Sequence, residues 1–183
     1  GNGFREDETY ELSQAAAFVD EDGVNYGTEV ADLNGDGNVD IIQASDDREG
    51  AWINTCSGWE EDSQWVLSTQ VDGDYDEALF VDSAELDNCV RVLDLNGDHL
   101  SDLIRITDAD ALTWLNTGSG WKEVTDDGLW IPETTHLDVG EMGFCDDTTR
   151  QDTGSRITDI NGDGLADVVK DESGREIFFN TGQ

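Results

Sequence analysis

Three copies of one acidic nonapeptide constrain this chain more than any other feature. They read D-L-N-G-D-G-N-V-D from Asp32 to Asp40, D-L-N-G-D-H-L-S-D from Asp94 to Asp102, and D-I-N-G-D-G-L-A-D from Asp159 to Asp167. Oxygen side chains stand at positions 1, 3, 5 and 9. A main-chain carbonyl at position 7 adds to the hard, flexible oxygen shell that a calcium ion takes. Glycine at position 4, and at position 6 in two copies, allows a turn that a side chain would obstruct. Asn-Gly and Asp-Gly also make ordinary hairpin turns with spare acids on the surface. Three copies that keep Asp, Asn, Asp and Asp in the same places favour a metal loop, with about three Ca²⁺ in all, one per copy.

The opening resembles an EF-hand, but the twelfth position, where an EF-hand needs a bidentate Glu, is Gln43, Arg105 and Lys170. Each loop leads into a short aliphatic or β-branched run, Val39 to Gln43, Leu100 to Ile106 and Leu165 to Lys170, with no amphipathic stretch of helical length. Each loop is therefore predicted to join two antiparallel strands.

The rest of the chain keeps the same period. The first aspartates of the loops are 62 and 65 residues apart. An aromatic followed by Asn-Thr recurs in Ala51-Trp52-Ile53-Asn54-Thr55, Thr113-Trp114-Leu115-Asn116-Thr117 and Ile177-Phe178-Phe179-Asn180-Thr181. A Phe-x-Asp element precedes each loop: Phe18-Val19-Asp20, Phe80-Val81-Asp82 and Phe144-Cys145-Asp146. The expected fold is all-β, with three tandem four-stranded, propeller-blade-like sheets of about 62 residues, divided as 1–55, 56–117 and 118–183. Trp52, Trp114 and Phe178 are equivalent in this scheme, as are Phe4, Trp59 and Trp121, and Tyr10, Trp65 and Trp130. Such aromatics could stack on sugars, but recurrence in every unit fits burial between neighbouring units better.

The pattern D-x-N-G-D-G-x-x-D, an aliphatic strand and then W-x-N-T-G-x-G-W resembles the FG-GAP and VCBS class of calcium-binding repeats. These are the four-stranded blades of integrin α-subunit propellers, bacterial surface proteins and the B components of toxin complexes. The resemblance implies calcium ligands at Asp32, Asn34, Asp36, Asn38 (carbonyl) and Asp40 in the first unit. In the second it implies Asp94, Asn96, Asp98, Leu100 (carbonyl) and Asp102, and in the third Asp159, Asn161, Asp163, Leu165 (carbonyl) and Asp167. His99 stands where the other loops have glycine, which predicts a strained, weaker second site, and Cys56 replaces the glycine found at Gly118.

Closed propellers use about four to eight blades, so three units are not expected to close on themselves. Joining Asn180-Thr181-Gly182-Gln183 to Gly1-Asn2-Gly3-Phe4 gives N-T-G-Q-G-N-G-F, close to the internal N-T-G-S-G-W. The expectation is a linear array in which neighbouring copies, or further repeats of the same chain, pack head to tail. The alternative is a window onto a larger propeller whose loops bind a glycan or a protein.

The chain carries 44 acidic and 9 basic residues, a formal charge of −35 that three calcium ions would reduce only to −29. That excludes ordinary electrostatic binding to nucleic acid or to anionic membranes. A halophilic surface would share this composition. No apolar run approaches the roughly 18 residues of a membrane span. Open calcium loops of extracellular modules bind at about 10⁻⁴ to 10⁻³ M, so an extracellular setting, secreted or on a cell surface, is expected. Three cysteines allow one disulfide and leave one over, and the sequence does not fix the pairing. A bridge from Cys89 to Cys145 between neighbouring units is favoured, with Cys56 then free or bonded to another subunit, and Asn54-Thr55-Cys56 is a rare variant of the glycosylation sequon. Neither histidine, His99 or His136, belongs to a catalytic arrangement, and no enzymatic role is expected. The function expected is a calcium-stabilised extracellular structural repeat forming a fibre or stalk; the alternative is a segment of a propeller adhesin or toxin component.

Overall fold

In a computed structural model, the structure describes residues 4, 10–12, 14–70, 75–124, 142–171 and 176–182. Trp130 and His136 lie outside the described residues. The described residues form three antiparallel sheets. The first comprises β1 (Thr28–Ala31), β2 (Asp40–Ser45), β3 (Arg48–Asn54) and β4 (Trp59–Glu61) in the order β1-β2-β3-β4. The second repeats that order with β5 (Val90–Leu93), β6 (Asp102–Ile106), β7 (Ala111–Asn116) and β8 (Trp121–Glu123). The third has three strands, β9 (Ser155–Thr158), β10 (Asp167–Lys170) and β11 (Glu176–Phe178), where a fourth was expected. Among the described residues helix is confined to single turns, Leu67–Gln70 and the 3₁₀ turns Gln14–Ala16, Ser63–Trp65 and Tyr75–Ala78.

The predicted strand after each acidic loop is present. Ala31 pairs with Asp40, Leu93 with Asp102 and Thr158 with Asp167, so positions 1 to 8 of each nonapeptide form the hairpin connection. Position 9 is the first residue of the returning strand. The residues that stand where an EF-hand has its Glu, Gln43, Arg105 and Lys170, are buried within those strands. Cuts after residues 55 and 117 fall in the β3–β4 and β7–β8 turns, whereas the sheets themselves span 28–61 and 90–123.

The sheets pack face to face through two shared cores. Leu33, Ile42, Ala44 and Ala51 of the first sheet meet Val90, Leu103 and Trp114 of the second. Leu95, Ile104 and Ile106 of the second meet Val168, Phe144 and Cys145 on the side of the third. Two parallel bridges, Ser45 to Val81 and Thr107 to Cys145, carry the Phe-x-Asp elements across each boundary. The amide of Phe80 donates to the Ala44 carbonyl (3.0 Å) and that of Phe144 to the Ile106 carbonyl (2.8 Å). Cys89 and Cys145 are joined in a disulfide with their Cα atoms 5.5 Å apart, and Cys56 is free and exposed.

The aromatic pattern resolves into a repeated pair. Tyr10 and Trp59 meet edge to face at 6.1 Å between centroids, and Trp65 and Trp121 do the same at 6.2 Å. The second pair is buried, with Trp121 Nε1 donating to the Trp65 carbonyl (3.1 Å), and Trp52 and Trp114 are buried as well. Phe4 and Tyr10 are exposed and Phe178 is half-buried.

Candidate metal loops

The three acidic loops fold alike down to individual hydrogen bonds. In the first, Asp32 Oδ1 accepts from the Gly35 amide (2.8 Å) and Oδ2 from the Gly37 amide (2.9 Å). Asn34 Oδ1 accepts from the Asp36 amide (2.9 Å), and Asp36 Oδ1 from the Asn38 amide (2.8 Å). Asn34 Nδ2 reaches Asp36 Oδ2 (3.2 Å). Asp40 closes the loop: Oδ2 accepts from the Leu33 amide (2.9 Å), and Oδ1 accepts from the Asn54 amide (2.8 Å) at the end of β3.

The same seven bonds recur in the second loop, through Asp94, Asn96, Asp98 and Asp102. They recur again in the third, through Asp159, Asn161, Asp163 and Asp167. His99 adopts φ 71°, matching Gly37 at 82° and Gly164 at 90°, so the position needs the left-handed region whichever residue fills it. Cys56, at φ 60°, likewise adopts the left-handed conformation of Gly118 at 73°.

Asp40, Asp102 and Asp167 are completely buried. Among the described residues the arginines that form ion pairs do so elsewhere: Arg91 with Asp87, Arg105 with Asp110 and Asp147, Arg150 with Asp82 and Asp147, and Arg156 with Asp152. Burial pushes the Asp40 carboxyl above the usual carboxylate range and pushes Asp102 up to about 7, with Asp98 and Asp94 adding repulsion. Asp36 is held low, first by the Asn38 amide.

In kind, this donor set fits a hard divalent cation. At positions 1, 3, 5 and 9 each loop has three carboxylates and one amide oxygen, and a carboxylate oxygen that accepts one N–H retains a lone pair. Among the described residues no three Asp, Glu, His or Cys side chains gather tightly enough to hold a metal by themselves. Coordination would therefore rest also on the amide oxygens of Asn34, Asn96 and Asn161 and on the carbonyls of Asn38, Leu100 and Leu165.

Two sets of residues act here in ways the sequence did not disclose. Asn116 Nδ2 donates to the Leu33 carbonyl of the first loop (2.8 Å) and to the Ser101 carbonyl of its own (3.2 Å). Asn180 Nδ2 donates to the Leu95 carbonyl of the second loop (2.8 Å). The Asn of each of these Asn-Thr pairs thus ties its sheet to the loop before it. Position 7, singled out for its carbonyl, also packs by its side chain: a Cβ on Gly35 would lie 3.0 Å from Leu100 Cδ2, and one on Gly97 3.1 Å from Leu165 Cδ2. The signals were the recurring Asn and the two leucines.

No family model matches this chain, and no curated protein matches it. Solved structures do. One is a lectin of Agrocybe aegerita, described as specific for non-reducing terminal N-acetylglucosamine, at 20% identity and TM-score 0.53 over 85% of this chain. Another is the Photorhabdus luminescens Tc holotoxin pore, at 18% identity and TM-score 0.50 over 88% of this chain. The chain spans 35% of the lectin chain and 7% of the toxin chain. At these identities the likeness is one of fold: a β-rich architecture shared with part of a lectin and part of a toxin complex.

Proposed function

We propose that this chain is a calcium-stabilised extracellular structural module, an FG-GAP or VCBS type of repeat that takes one Ca²⁺ in each acidic loop. The observation that carries this reading is the buried carboxylate at position 9. Asp40, Asp102 and Asp167 each join a loop to two strands while fully removed from water, and each nonapeptide carries three carboxylates at positions 1, 5 and 9. A bound calcium ion supplies the positive charge that offsets this concentration. Asp32, Asp94 and Asp159 fold the turn through the amides at positions 4 and 6. The position-9 aspartates clamp the loop to its own sheet.

Free calcium at a hundred times the dissociation constant would add about 2.7 kcal/mol per site by mass action, a large share of the stability of a small β domain. Two features support an extracellular setting. The disulfide suits an oxidising compartment, and loops of this type fill at extracellular calcium. No helix among the described residues is long and apolar enough to cross a membrane. Electron microscopy in millimolar calcium and after chelation with EGTA tests the structural role: filaments that fall apart on chelation are expected, and discrete particles indifferent to EGTA would refute it.

A second reading has its own support. Likeness to part of a lectin and part of a toxin complex favours a segment of a larger propeller whose loops bind a glycan or a protein. Glycan-array binding by the isolated chain would favour that reading over the fibre.

A further inference from the structure

The two internal boundaries between sheets are built alike, so each sheet has a face turned toward the preceding sheet and one turned toward the next. Among the described residues, the first sheet's preceding face and the third sheet's following face are more exposed. Phe18 and Val19 are 41% and 53% exposed, whereas their counterparts Phe80 and Val81 are 4% and 2% exposed, and Phe144 and Cys145 are 0% exposed. Val30 is exposed too, while Val92 and Ile157 in the same strand position pack against the shared cores.

At the other end Ile160 is 40% exposed, where Leu33 and Leu95 are 0% and 3%. Phe179 and Ile177 are exposed as well. The loops differ in the same sense: Gly35 and Gly97 are each covered by a leucine of the next loop, while Gly162 has nothing within 4 Å of where a Cβ would stand.

We infer that a second copy of this chain docks head to tail, its first sheet seating on the third sheet of the copy before it. The inference names the partner in the fibre reading and rests on that reading. The surface at one end is not the mate of itself but of the surface at the other, because the internal boundaries join these two kinds of face. One chain therefore carries both halves of a heterologous contact, which does not close after one step.

The hydrogen-bond partners are also present. Asn54 Nδ2 donates to the Val39 carbonyl of its own loop (3.2 Å), as Asn116 does to Ser101. An amide nitrogen has two hydrogens. The second hydrogen of Asn54 is the counterpart of the one Asn116 gives to Leu33, and Ile160 offers the carbonyl equivalent to those of Leu33 and Leu95. Asn38 would stand over Gly162 in place of a leucine. Charge opposes the contact, since each copy carries −35, so association strengthens as salt or calcium screens the repulsion.

The test is sedimentation velocity on the full chain in millimolar calcium, over a concentration series, with Val19→Asp and Phe179→Asp. Both sites are exposed, and circular dichroism checks that each variant is folded. The wild type is expected to form concentration-dependent oligomers. Each variant alone should raise the dissociation constant about tenfold or more. An equimolar mixture should form a heterodimer that stops there, because one variant keeps a free head and the other a free tail. A wild type that stays monomeric at every concentration overturns the inference. So does a result in which one variant still associates and the other does not, since that marks a symmetric contact. Calcium uptake by the same proteins, read by calorimetry, separates the two claims: association without uptake removes the metal and leaves the docking.

Discussion

Replacing Asn116 by alanine, and Asn54 by alanine separately, isolates the bond that ties one sheet to the loop of another. Asn116 is buried and makes three side-chain bonds: to the carbonyls of Leu33 and Ser101 and from the amide of Gly118. Leu33 is fully buried, so Asn116→Ala leaves its carbonyl without this donor in a place that water does not reach. An orphaned buried acceptor costs about 1–3 kcal/mol, and each of the two further lost bonds about 1 kcal/mol, for a total of about 3–5 kcal/mol. Asn54 bonds the Val39 carbonyl and the Cys56 amide at exposed positions, where water takes over, so Asn54→Ala costs about 1 kcal/mol or less. The difference of at least about 2 kcal/mol corresponds to a shift of about 1 M or more in the urea midpoint. Equilibrium unfolding followed by tryptophan fluorescence, in calcium and at a protein concentration low enough to keep the chain monomeric, measures it directly. Equal midpoint shifts for the two variants would refute the idea that this asparagine couples neighbouring sheets.

His99→Gly should relieve the left-handed conformation at position 6 of the second loop, worth about 1 kcal/mol or roughly a fivefold gain in calcium affinity at that site. Calorimetry checks it, and no change in affinity counts against strain there. In EGTA the protein should lose stability as pH rises. Burial lifts Asp102 from an ordinary 3.8 to about 7, so the folded chain keeps a proton that the unfolded chain releases, and the difference grows between those two values. The full effect is about 4 kcal/mol. It should vanish in calcium and shrink in Asp102→Asn, and a stability in EGTA that is flat or rises over this range would contradict it.

Much of the architecture was legible because it depends on local chemistry. Each nonapeptide and the aliphatic run after it dictate a hairpin, and the returning strands begin at Asp40, Asp102 and Asp167. The sequence left the pairing of its three cysteines open, with Cys89 to Cys145 the favoured choice, and the structure joins those two. The hidden part depends on contacts across the repeat. The Asn of Asn-Thr recurs visibly, but its acceptor at Leu33 lies 83 residues away. The side chains of Leu100 and Leu165 find their role only when loops lie one above another. Arg105 is a further case: among 44 acids no pairing stands out in the sequence. The fold buries it against Asp110 (2.7 Å) and Asp147 (2.9 Å), across the same boundary that the disulfide staples. Among the described residues the third sheet has three strands where the sequence led to an expectation of four.

The structural role depends on each acidic loop taking one calcium ion. Calorimetric titration of the chelator-stripped chain, beside Asp36→Ala, tests this most directly. Uptake of about three ions by the first and about two by the second is expected, with affinities in the range of extracellular modules. Absence of calcium uptake, or the same stoichiometry in both proteins, would contradict it.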